Sequence, residues 1–145
     1  MEIHTIGFTG KTAREFFDAL KHAGIRRLID VRLNNTSQLA AFTKRQDIEF
    51  FLREILDADY LHEPRLSPTK DILDAFKKRE MPWEEYEKRF CAMLAESQPE
   101  AFLDPEDFAA PTVLLCSETE PEHCHRRLVA EHLAREWEDV TVTHL

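Results

Sequence analysis

Thr112-Val113-Leu114-Leu115-Cys116 is the stretch that decides the fold. It is a continuous apolar run without polar alternation, the pattern of a strand covered on both faces in the middle of a parallel sheet. After it, Ser117 to Pro121 reads as a turn and a helix is predicted from about Glu122 to Trp137. Val140-Thr141-Val142-Thr143 follows as a last strand. Within the turn, Thr119 and Glu122 have the spacing of a helix cap and its partner at the third position.

The chain begins with a similar unit. Ile3 to Phe8 is β-branched and short, and Thr12-Ala13-Arg14-Glu15 has capping-box form. Phe16, Phe17, Leu20 and Ala23 then recur at helical spacing, with Gly24 as a natural stop. Arg27 to Arg32 is a second strand, so strand, helix and strand form a βαβ unit with parallel strands. Residues 33–45 make a long polar connection. A helix over about 47–56, a short strand over Asp59–His62 and helices over about 69–79 and 83–96 complete the middle. The last of these carries Trp83, Tyr86 and Phe90 as an apolar stripe, read as core, and residues 99–111 as a connecting segment. No repeat or linker interrupts the pattern. The expectation is one domain over 1–145, a three-layer α/β fold with a mostly parallel sheet of about five strands and helices on both faces.

In open α/β sheets, ligands bind outside the carboxyl ends of the strands. Gly7–Thr9, Asp30–Arg32, His62–Glu63 and Cys116–Glu118 all stand at such ends. The densest chemistry is Cys116-Ser117-Glu118 through His123-Cys124-His125-Arg126. A thiol between a strand end and a helix N-terminus feels the helix dipole and the charge of Arg126, while Glu118, Glu120 and Glu122 oppose both. The plain alternative is a small buried residue closing a core strand. Arg32 has the planar fork to clamp an anion, and Asp30 lies on the same side of its strand as a competing partner. Cys91 beside the apolar stripe reads as inert.

A metal reading draws on Cys116, Cys124, His125, His123 and His62. Its spacing matches no zinc pattern, and adjacent Cys124 and His125 diverge by ~100° if both are helical. His125 and His132 share a helix face but stand ~10.5 Å apart along it, too far for one ion. No metal ligand is therefore assigned, and the cofactor is left open. The segment Gly7 to Thr12 is not a phosphate loop, because that motif needs four residues between its glycines and only two are present.

A net charge of −9 disfavours non-specific attraction to a phosphate backbone, despite Lys44-Arg45 and Lys77-Lys78-Arg79. No run of residues is apolar enough to span a bilayer, and Met1-Glu2-Ile3-His4 lacks the form of a secretory signal. Three cysteines in such a chain argue against a disulfide framework and for the cytoplasm.

Thr5-Ile6-Gly7, Asp30-Val31-Arg32, the Ser37 to Phe42 loop and Cys116-x-Glu118 with Cys124-His125-Arg126 resemble the family catalogued as domain of unknown function 488. Phe8-Thr9 stands where members often carry a His-Ser pair. The resemblance implies an α/β fold and a shared site, without an assigned activity. A fainter likeness to rhodanese-type sulfurtransferases rests on Leu28 to Arg32 and a cysteine directly after a core strand. The longer loop after Cys116, with its three glutamates, argues against sulfur transfer.

The expected function is an enzyme acting on a small polar or anionic substrate. Cys116, Glu118 and His125 are the candidate catalytic residues. Arg32, Cys124, Arg126, Thr9 and Ser37 are the candidate substrate-binding residues. A ligand- or metal-binding module without turnover is the alternative.

Overall fold

In the computed structural model, which describes residues 1–145, five strands form one sheet. They are β1 (Glu2–Gly7), β2 (Arg27–Asp30), β3 (Asp59–His62), β4 (Thr112–Cys116) and β5 (Thr141–His144). Their order is β3-β2-β4-β1-β5, and every pairing is parallel. β4 is central and buried along its whole length, as its unbroken apolar run demands.

The helices are α1 (Ala13–His22), α2 (Arg45–Phe51), α3 (Lys70–Lys77), α4 (Trp83–Ser97), α5 (Pro99–Phe102) and α6 (His125–Glu136). α2 runs on into a π-helical turn over Leu52–Leu56. Phe16, Phe17 and Leu20 of α1 and Ile48 of α2 pack on Ile6, Leu28, Val113 and Leu115 of the sheet. On the other face, Phe90 and Leu94 of α4 and Leu128, Val129 and Leu133 of α6 pack on Ile3, Ile29 and Leu114. Helices thus cover both faces, and the fold is a three-layer α/β sandwich.

The neighbours β1 and β4 are followed by helices on opposite faces, α1 on one and α6 on the other. That reversal opens a crevice between their carboxyl ends, the usual ligand position in sheets of this kind. Gly7 and Cys116 are register partners at that point.

Several local features differ from the sequence expectation. β2 ends at Asp30 because the chain turns after Val31, bringing the Arg32 side chain back onto the Asp30 carboxylate. α6 begins at His125 rather than near Glu122, with Cys124 at the N-cap in extended conformation. Thr119 does not cap it: its hydroxyl donates to the Thr9 carbonyl across the crevice. Residues 99–111 are not a plain connection, since they fold α5 and a 3-10 turn that buries Phe108. Within 33–45 a 3-10 segment, Gln38–Thr43, is pinned by Phe42 against Phe8, Phe16 and Phe17. The Thr12–Glu15 capping box is formed as read. No helix is long and apolar enough to cross a membrane.

Candidate active site

Cys116 ends β4, and the loop after it must return over the crevice to start α6. Arg126 holds that loop in place. Its guanidinium is fully buried and donates to the Glu118 and Thr119 carbonyls and to the Thr5 hydroxyl, which β1 supplies. All three partners are neutral oxygens. The Thr9 N–H adds a bond to the Ser117 carbonyl at 3.1 Å. The Lys11 ammonium folds back onto the Gly7 carbonyl at 2.9 Å.

With the loop held, Cys124 and His125 arrive beside Cys116. Cys124 is extended rather than helical, so the divergence expected of two adjacent helical residues does not apply. The Cys116 and Cys124 sulfurs and an imidazole nitrogen of His125 all lie within 4.8 Å of one another. The Cys116 sulfur stands 3.4 Å from His125 Nδ1 and 3.8 Å from Nε2. His125 Nε2 is 2.7 Å from the Val31 carbonyl oxygen. A carbonyl only accepts, so Nε2 carries a proton and Nδ1 is the nitrogen that meets the sulfur.

The two thiols are driven apart. Burial works to raise the Cys116 thiol. A hydrogen bond from Cys124, the Ser117 N–H and the Arg126 and Arg32 charges outweigh it and lower Cys116 below the ordinary thiol value. Burial, followed by the hydrogen bond and charge of Cys116, pushes Cys124 well above it. Burial also raises Cys91, away from the site.

These residues form the floor of a pocket of about 570 Å³, counting its open mouth. Glu118, His123, Tyr86, Phe76 and Lys77 wall it, with Leu33 and Asn34 closing the side nearest β2. His123 stacks on Trp83 at 4.9 Å, and Trp83 stacks on Tyr86 at 5.0 Å, so the aromatic wall is a continuous stack. Among the sequence candidates, Cys116, Glu118, His125, Arg32 and Cys124 line the pocket. Arg126 lies beneath it. Thr9 and Ser37 do not line it: Thr9 latches Thr119, and Ser37 accepts from the Leu39 N–H to cap the 3-10 segment.

Arg32 touches the pocket with most of its donors already engaged. It pairs with Asp30 at 2.8 Å through two nitrogens and donates to both oxygens of Thr43. His62, considered above as a metal ligand, instead bonds the Arg32 carbonyl at 2.7 Å. His132 pairs with Glu100 at 2.7 Å on the far part of α6. Sequence reasoning treated Tyr86 as core only. It is buried, yet it forms pocket wall, and an apolar stripe at helical spacing does not say which of its members faces a cavity. Asn34 was read only as part of the long polar connection and Lys77 only as part of a solvated basic run, and Leu33 carried no signal of its own.

The family model described as "Domain of unknown function DUF488" matches residues 12–133, which takes in Cys116, Glu118, Cys124, His125 and Arg126 but leaves out β1 and β5. No curated protein and no solved structure gives a significant match.

Proposed function

Because this chain belongs to the DUF488 family, whose description assigns no activity, its function has to be read from its own site, and we propose that the pocket at the end of β4 is the active site of an enzyme acting on a small polar or anionic substrate. Cys116 is the nucleophile in this reading. His125 carries its proton through Nδ1, with the Val31 carbonyl fixing the ring as the third member of the relay. Glu118, on the pocket wall with no ion-pair partner, serves as acid or base for the departing group. Cys124 and the pocket side of Arg32 contact substrate, whereas Arg126 is a positioning residue. The wall of Tyr86, Phe76 and stacked His123 limits the substrate to a small molecule. A cytoplasmic location suits a free, electron-rich thiol.

The observation that carries the reading is the 3.4 Å approach of Cys116 Sγ to an imidazole whose other nitrogen is locked at 2.7 Å. The test is alkylation of metal-free folded protein with iodoacetamide, with mass spectrometry locating the label. Cys116 is expected to react ahead of Cys91 and Cys124, and Cys116→Ser to abolish turnover of any substrate found by screening polar metabolites. Labelling of Cys116 only after unfolding would make it a core residue and end the proposal.

A further inference from the structure

The same three buried residues have a second capacity that nucleophilic chemistry does not use. Cys116 and Cys124 present two sulfurs and His125 one nitrogen, all within 4.8 Å of one another. A tetrahedral zinc with ordinary bond lengths requires ~3.6 Å between sulfur and nitrogen and ~3.8 Å between sulfurs. The Cys116–His125 Nδ1 separation is 3.4 Å, already near that value. His125 also has the outer contact characteristic of metal-bound imidazoles, its second nitrogen donating to a backbone carbonyl, here Val31 at 2.7 Å. That bond fixes the tautomer with the Nδ1 lone pair available.

Two sulfurs and one imidazole favour zinc over magnesium or calcium, which take oxygen. Two bound thiolates neutralise the ion, so no further carboxylate is needed. All three residues also line the pocket, which leaves a fourth position open to it rather than closed by protein.

We propose that Cys116, Cys124 and His125 bind one Zn²⁺ ion through both sulfurs and Nδ1, and that its occupation silences the thiol chemistry of this site. The switch rests on the reading of Cys116 as nucleophile; the ion site itself does not. On binding, any proton still on either sulfur leaves to solvent, and both sulfur lone pairs and Nδ1 become metal bonds. The ion draws charge from the remaining Cys116 lone pairs and lowers their nucleophilicity, and His125 Nδ1 has no free pair left to accept a proton.

Metal-free protein is titrated with Co²⁺, followed by Zn²⁺, and Cys116 alkylation is measured over the same Zn²⁺ series. The expected result is a thiolate-to-cobalt charge-transfer band saturating at one ion per chain. Zn²⁺ displaces it and protects Cys116 from alkylation. Each variant is read against its own metal-free labelling rate. In Cys124→Ser, which keeps the side-chain volume, half-protection takes more Zn²⁺ by at least the ~10-fold that even an outer partner of a ligand commands. Cys91→Ala, outside the site, leaves the titration unchanged. Circular dichroism checks that both variants are folded, and Cys124→Ala serves if the serine form is not. Absence of the one-to-one band, or protection indifferent to Cys124, overturns the ion site even where Cys116 labels rapidly. A one-to-one band on a Cys116 that never labels in the metal-free protein upholds the ion site, overturns the switch and removes the nucleophile.

Discussion

Gly7 and Glu118 approach so closely that a Cβ built on Gly7 would stand 1.6 Å from the Glu118 carbonyl oxygen and 2.8 Å from an Arg126 nitrogen. The first obstacle is backbone, which no side-chain rotation relieves. The glycine at the end of β1 is therefore a requirement of space rather than of dihedral freedom. Gly7→Ala is expected to force the loop over residues 117–124 outward. The cost follows other overpacked sites, about 1–3 kcal/mol or more, read as a shift in urea midpoint at constant slope. Cys116 should become more accessible to alkylation in the same variant, because the loop that covers it has moved. An unchanged midpoint would mean that the loop gives way freely.

Arg126 makes the complementary prediction. Its fully buried guanidinium is the common partner of the Thr5 hydroxyl and the Glu118 and Thr119 carbonyls. Arg126→Met fills the volume but leaves those three oxygens short of a donor, at about 1–3 kcal/mol for each that water does not reach. Arg126→Lys keeps the charge but cannot span all three, and should fall between wild type and Met in chemical denaturation. Equal stability of the Lys and Met forms would show that charge and reach do not matter there.

The architecture was legible wherever a residue type forces a local choice. The apolar run of β4, the Thr12–Glu15 capping box and the helical stripe of α1 each have one low-energy reading. Cys116, Glu118, His125, Cys124 and Arg32 could be named because strand ends converge in a parallel sheet. What escaped depended on long-range competition for hydrogen bonds. Thr119 has the form of a cap, but the Thr9 carbonyl, 110 residues away in sequence, takes its hydroxyl. α6 starts instead at His125 with Cys124 extended, and both stand beside Cys116, which removes the geometric objection to their acting together. Arg32 and Arg126 illustrate the same limit: a strand-end or helix-start arginine reads as an anion clamp until its acceptors are located.

Asp30 gives a prediction about acid. Its carboxylate is buried and accepts from Arg32 side-chain and backbone nitrogens, from the Tyr60 hydroxyl at 2.7 Å and from Asn35 at 3.2 Å. Burial works to raise its pKa, but the hydrogen bonds and charge of Arg32, followed by Tyr60, prevail and hold it below the ordinary 3.8. Burial, followed by the charge and hydrogen bond of this same carboxylate, raises the Tyr60 phenol, which stays protonated and donating. A folded pKa below the unfolded one means that the carboxylate contributes its full stabilisation above pH 3.8 and loses it as pH falls through the lowered folded value. Asp30→Asn leaves Arg32 buried without its counter-charge and should cost about 3–5 kcal/mol at pH 7. The gap between wild type and variant should stay constant down to about pH 5 and narrow only in stronger acid. A gap that widened on acidification would contradict the lowered pKa.

Glu118 separates stability from chemistry. Its backbone carbonyl is held by Arg126, but its side chain stands on the pocket wall without an ion-pair partner. Glu118→Gln keeps the shape and the backbone contact, so the urea midpoint should move by no more than about 0.5 kcal/mol, as at other unpaired surface positions. If the carboxylate transfers a proton during turnover, the same change should lower kcat by about 100-fold or more. Substrate binding should change little, because the amide occupies the same space. Loss of binding with kcat intact would instead make Glu118 a recognition residue, and loss of stability would show that its carboxylate also braces the loop.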